Sequence, residues 1–243
     1  MKRKPELIVA LDVDTLEQAK GIIDTLSPVV DIYKVGSQLF TACGPAAVRF
    51  VMARGKKVFL DLKYHDIPNT VASAVKSAVG LAIGIGGSAA DPTDGVFMLT
   101  MHTLGGFEML KAAAKAVEEK SHELKVNRPL IVGITVLTSE VKKDNMADVV
   151  LKRAALAKEA GLDGVVASVE EAKLIHREFG DDFIIVTPGI RPAESTADDQ
   201  KRTGTPGEAV ANGSNFLVVG RPIIESANPL ETARKITEDI RAF

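Results

Sequence analysis

Short β-branched, apolar runs recur along the 243-residue chain, each followed by a stretch in which Ala, Leu, Val and Ile return at helical spacing. The runs fall at residues 7–11, 32–35, 57–62, 96–101, 130–135, 164–167, 183–187 and 216–219. Near-continuous apolar character in so short a run suits a strand buried on both faces, as in a parallel sheet covered by crossover helices. Eight such units predict a (β/α)8 barrel that takes up residues 1–243 as a single domain. A doubly wound open sheet has the same local pattern and is the alternative.

Polar residues collect where the predicted strands end. Asp12 follows the first, Lys34 lies in the second, Asp61 and Lys63 in the third, His102 follows the fourth, and Thr138 and Ser139 follow the fifth. All strand C-termini of a barrel open on one face, so groups far apart in sequence converge there. Residues 84–95, rich in Gly with an Asp-Pro step, fit the alternation badly. They read as a surface insertion ahead of the fourth strand, on the face opposite the expected site.

Composition narrows the function. The 46% of hydrophobic residues supply a sizeable core, and 30 Lys and Arg against 32 Asp and Glu leave a charge of -2, which argues against a nucleic-acid partner. Met1-Lys2-Arg3-Lys4-Pro5 leads at once into a short strand-like run, and no apolar stretch approaches membrane-spanning length, so a cytoplasmic protein with no membrane association is expected. One cysteine, Cys43, excludes an intrachain disulfide and reads as an inert helix-region packing or turn position. The four histidines form no metal-ligand pattern: His122 and His176 read as solvated helical positions, and His65 and His102 as hydrogen-bonded structural groups near the site. No Ser-His-Asp arrangement or nucleotide-binding glycine fingerprint stands in the right context.

The segment Asp61-Leu62-Lys63-Tyr64-His65-Asp66-Ile67-Pro68-Asn69-Thr70 is the most informative. Strand alternation sends Asp61 and Lys63 to the same side, placing a carboxylate beside an ammonium at a strand end. Such a pair is either structural or chemical. Pro68 turns the chain and starts the next helix.

This run resembles the signature of the orotidine 5'-phosphate decarboxylase family. Matching pieces follow in order: Ala10-Leu11-Asp12, Tyr33-Lys34-Val35-Gly36, His102 with Gly105-Gly106, and Leu137-Thr138-Ser139. Thr187-Pro188-Gly189-Ile190-Arg191-Pro192, Asp199-Gln200-Lys201-Arg202 and Val219-Gly220-Arg221-Pro222-Ile223 complete the series. The chain departs from the pattern in two places. Between Thr70 and His102 it is longer by about a dozen residues, and Met101-His102-Thr103-Leu104 replaces smaller residues.

The resemblance implies a cofactor-free and metal-free lyase converting orotidine monophosphate to uridine monophosphate, as a homodimer with shared sites. Lys34, Asp61, Lys63 and Asp66 from the second subunit would form an alternating array of cations and anions, with Lys63 as proton donor. Asp12 and Lys34 would hold the ribose, Ile67 and Thr70 would reach in from the partner, and Thr138 and Ser139 would read the pyrimidine. Pro188, Arg191, Gln200, Gly220 and Arg221 complete the substrate-binding set, with the phosphate against Gln200, Gly220 and Arg221. Residues 191–205 would form a loop that closes over it. Two alternatives stand beside this reading. One is a Mg2+-dependent sugar-phosphate decarboxylase or aldolase of the same suprafamily, which would need an acidic metal ligand where Lys34 stands. The other is a non-catalytic phosphoribosyl-nucleotide binder.

Overall fold

Eight parallel strands pair in chain order and close on themselves: β1 (Glu6–Ala10), β2 (Ile32–Gly36), β3 (Lys57–Tyr64), β4 (Val96–His102), β5 (Leu130–Ile134), β6 (Gly164–Val166), β7 (Ile184–Thr187) and β8 (Phe216–Val219). Ile8 of β1 is paired with Ile32 of β2 on one side and Val218 of β8 on the other, which closes the barrel and excludes the open sheet. The computed structural model describes residues 4–82, 95–137, 145–192 and 203–242.

The connecting helices are α1 (Leu16–Leu26), α2 (Ser37–Cys43), α3 (Pro45–Met52), α4 (Pro68–Val79), α5 (Gly106–Leu124), α6 (Met146–Glu159), α7 (Val169–Phe179), α8 (Pro206–Ala211), α9 (Arg221–Ile224) and α10 (Pro229–Arg241). Their starts follow from local chemistry. Thr15 and Gln18 form a capping box on α1, and Pro68 sits in the first turn of α4, where a missing N–H costs nothing. Between α2 and α3 the chain turns at Gly44, whose φ of 57° suits a residue without Cβ. Cys43, the last residue of α2, packs against the core as expected.

Side-chain parity sorts the strands into two cores. Ile8, Ala10, Ile32, Phe59, Met98, Val132, Val186, Phe216 and Val218 fill the barrel interior, whereas Leu7, Val9, Tyr33, Val35, Leu60 and Leu99 face the helices. Each large apolar side chain buried this way contributes about 1.5–3 kcal/mol. Continuing the inward parity beyond the apolar layer leads from Ala10 to Asp12, from Ile32 to Lys34, from Phe59 to Asp61 and from Met98 to Thr100. The polar site is the top layer of the same stack.

Differences from the expected strands fall at their ends. Leu11, Thr135 and Ala167 lie beyond the assigned strands, yet their N–H groups still donate to the carbonyls of Lys34, Val166 and Val186 at 3.0, 3.3 and 3.0 Å. β3 runs on to Tyr64 and β4 to His102. The expected insertion lies outside the described residues except for Gly95, a bend ahead of β4. Among the described residues, no helix is long and apolar enough to cross a membrane.

Candidate active site

A cavity of about 220 Å³ opens at the strand C-termini. That is ample for an organic ligand, given that one water needs about 10–15 Å³ on the same scale. Phe59, Ile134, Val186 and Val218 form its apolar floor and wall, and Asp12, Lys34, Asp61 and Lys63 supply its charge.

These four side chains form an alternating chain of anions and cations. Lys34 Nζ lies 2.7 Å from Asp12 Oδ1 and 3.8 Å from Asp61 Oδ2, and Lys63 Nζ lies 2.7 Å from the same Asp61 oxygen. The Asp61 side chain is only 10% exposed. A carboxylate so removed from water is tolerable only if its lone pairs are engaged, and two ammonium groups and one hydroxyl do so. That hydroxyl is Thr100 Oγ1, which donates to Asp61 Oδ1 at 3.0 Å. Gly36 makes room for the array, since a Cβ there would come within 2.9 Å of Lys34 Nζ.

Asp61 and Lys63 do meet, but simple alternation is not what brings them together. Pairing between β3 and β4 shifts from Leu60 opposite Leu99 to Tyr64 opposite Met101, so Asp61, Leu62 and Lys63 face Thr100 alone. This bulge turns Lys63 into the left-handed region, with φ of 52°. The lysine is thereby aimed back over Asp61.

Asp66, Ile67 and Thr70 are exposed. Asp66 Oδ1 accepts the N–H of Ile67 at 2.6 Å, and Asp66 forms no ion pair with Lys63 of its own chain. Ile67 is 66% exposed, unusual for so large an apolar residue. Pro188, Arg191, Gly220 and Arg221 line the cavity wall across from β3. Gly220 passes close to β1, where a Cβ would lie 3.4 Å from that of Ala10. Arg191 N–H donates to Gly204 O at 2.9 Å and Gly204 N–H to Gly189 O at 3.2 Å. These bonds hold Gly189 and Arg191 against Gly204. Thr138, Ser139 and Gln200 lie outside the described residues.

The histidines divide differently from expectation. His122 is exposed, but His176 is half-buried, with Nε2 3.7 Å from Asp181. His65 and His102 have ring centroids 5.6 Å apart beside the site. His102 Nδ1 is buried and, among the described residues, lacks the expected hydrogen bond. Burial, then the nearby His65, Lys63 and Arg153, push the His102 pKa below its ordinary value, against the pull of Asp61.

Thr100 is the residue that sequence reasoning missed. A threonine within a strand signals only β propensity, although its parity with Met98 marks it as inward-facing one step below the strand end.

Residues 5–236 match the family model described as orotidine 5'-phosphate decarboxylase / HUMPS family. The chain is 46% identical to an orotidine 5'-phosphate decarboxylase of Moorella thermoacetica over 99% of its own length and 94% of the relative's. It is also 46% identical to one of Geotalea daltonii, over 98% and 97%. A crystal structure of orotidine 5'-phosphate decarboxylase from Lactobacillus acidophilus superposes with a TM-score of 0.81 at 35% identity, covering 97% of this chain and 99% of that one. With the barrel, the charged array and near full-length similarity in agreement, the chain belongs to the orotidine 5'-phosphate decarboxylase / HUMPS family.

Proposed function

We propose that this chain decarboxylates orotidine 5'-phosphate to uridine monophosphate, without metal or cofactor, in pyrimidine biosynthesis. It is a carbon–carbon lyase. The observation that carries the reading is the Asp12–Lys34–Asp61–Lys63 array lining the cavity. Breaking the bond between C6 and its carboxylate releases CO2 and leaves the electron pair on C6, where the ring delocalises it poorly. A fixed ammonium stabilises that charge as it forms and then supplies the proton that completes the product. Lys63, held 2.7 Å from Asp61 and 35% exposed, fits both tasks. Asp61 holds the ammonium in place and adds negative charge near the departing carboxylate.

Asp12 and Lys34 form the ribose end. Thr138 and Ser139 read the pyrimidine, and the phosphate lies toward Pro188, Arg191, Gln200, Gly220 and Arg221. Segment 191–205 closes over it, so that remote binding energy serves the chemical step. Asp66, Ile67 and Thr70 complete the site of a second copy in a homodimer. Their exposure, and the lack of an Asp66–Lys63 pair within one chain, support that sharing. A cytoplasmic, single-domain enzyme without nucleic-acid partners accords with the charge of -2 and the one cysteine.

A sugar-phosphate enzyme of the same family would need a divalent cation near Asp12 and Asp61. The Lys34 ammonium already occupies that place and would repel one. The deciding experiment follows the loss of orotidine monophosphate and the appearance of uridine monophosphate after exhaustive treatment with EDTA. Undiminished turnover is expected. Activity lost to EDTA and restored by Mg2+ would assign the metal-dependent chemistry, and binding of the nucleotide without turnover would assign a non-catalytic binder.

A further inference from the structure

We propose that Thr100 is a positioning residue for the decarboxylation, its one hydroxyl holding both the backbone of Lys63 and the carboxylate of Asp61. The assignment of Lys63 as proton donor rests on the function proposed above; the hydroxyl bridge itself does not.

In a regular ladder Lys63 would bond to a backbone carbonyl of β4. Here three residues of β3 stand against one of β4, and the ladder is broken between Leu60 and Tyr64. A Lys63 N–H left unpaired in a part-buried position would cost as much as a lost hydrogen bond. Thr100 Oγ1 accepts it at 2.9 Å. The same oxygen donates its own proton to Asp61 Oδ1 at 3.0 Å. The bridge is therefore directional: donor role to the carboxylate, acceptor role to the amide. Neither Val nor Ala can replace it.

The consequence is geometric. A non-glycine residue at φ of 52° persists only where its surroundings over-determine it. Lys63 is restrained at both ends, its N–H by Thr100 and its Nζ by Asp61, and Asp61 is in turn held by Thr100. Thr100 is itself fully buried on β4 and does not line the cavity, so it acts through the other two. Without the hydroxyl, the bulge loses its only side-chain tie to β4 among the described residues. The ammonium then samples positions away from C6, while the ribose and phosphate contacts stay intact.

The test compares wild type with Thr100→Val, Thr100→Cys and Thr100→Ser. Turnover of orotidine monophosphate is measured per uridine monophosphate-binding site, so that unfolded protein does not count. Valine keeps the β-branch and removes the hydroxyl. Cysteine keeps a small buried side chain with weak hydrogen bonding, and serves if the valine variant does not fold. Both are expected to lower kcat by about ten- to a hundredfold, the scale of a small misplacement of a reacting group, with KM within about threefold of wild type. Serine, which retains the hydroxyl, is expected to restore kcat to within about threefold. Hydrogen exchange of the Lys63 amide, read independently of activity, is expected to speed up in the valine and cysteine variants and not in serine. Unchanged exchange overturns the bridge whether or not the wild type turns over. Faster exchange with unchanged kcat in an active enzyme overturns the positioning role. So does a serine variant as slow as valine.

Discussion

Lys63 and Asp61 lie two residues apart in sequence and 2.7 Å apart in space, and their contact is made across a bulge in which Lys63 is left-handed. The backbone conformation is thus part of the site. Replacing Lys63 by Gly and by Ala separates the two contributions, since both remove the ammonium and only Gly fits φ of 52° without a Cβ penalty. Lys63→Gly is expected to be about 1 kcal/mol more stable than Lys63→Ala by urea unfolding. Equal stability of the two would mean that the bulge relaxes once the ammonium is gone.

Lys34 bridges two carboxylates and its side chain is only 12% exposed. Lys34→Ala is expected to abolish most turnover and to lower stability by about 3 kcal/mol, because Asp61 keeps its burial and loses a cation. Equilibrium unfolding checks the second figure. A change within about 0.5 kcal/mol, the range of an ordinary surface substitution, would show that Lys34 does not compensate Asp61.

Arg221→Ala addresses the far end of the cavity. Loss of the proposed phosphate contact is expected to weaken binding of uridine monophosphate at least about tenfold and to slow turnover as well, if phosphate contacts drive loop closure. Calorimetric titration measures the first effect. Unchanged affinity would move the phosphate away from α9.

His102 carries a pH signature. Its pKa lies below the ordinary 6.5 in the folded protein, with burial as the leading cause. The unfolded chain therefore binds this proton first as pH falls, so stability is fully present above about 6.5 and declines below it until the folded imidazole also protonates. The difference in unfolding free energy between wild type and His102→Gln, followed from pH 7 to 5, is expected to move against the wild type on acidification. A flat difference curve would mean that His102 titrates alike in both states.

Much of this site is legible in the sequence, for a physical reason. Asp12, Lys34 and Asp61 continue the inward parity of apolar strands, so their convergence needs only the barrel and the period of two. The Lys63 conformation was not legible, because a bulge depends on register with the partner strand, and no residue of β3 encodes that alone. Thr100 was hidden for a related reason: its importance lies in what stands opposite, whereas its own type and burial suggest packing. His102 was expected to be hydrogen-bonded, yet its buried Nδ1 has no partner among the described residues. The interval from Thr70 to His102 reads as carrying an insertion by its length alone, and residues 83–94 of it lie outside the described residues.

Sharing of sites between subunits is tested by complementation. Lys63→Ala and Asp66→Ala chains, each impaired alone, are unfolded and refolded together. Random pairing makes half the dimers mixed, and half the sites in those are whole, so about a quarter of wild-type activity is expected to return. No recovery would place Asp66 in the site of its own chain.

The central claim, that the Lys63 ammonium within the charged array carries out decarboxylation, is tested most directly by one paired measurement. Conversion of orotidine monophosphate to uridine monophosphate is followed for wild type and Lys63→Ala, alongside the binding of uridine monophosphate to each. Turnover by the wild type alone, with product binding retained by both, is the predicted result. Comparable turnover by Lys63→Ala, or none by a wild type that binds the product, would contradict the account.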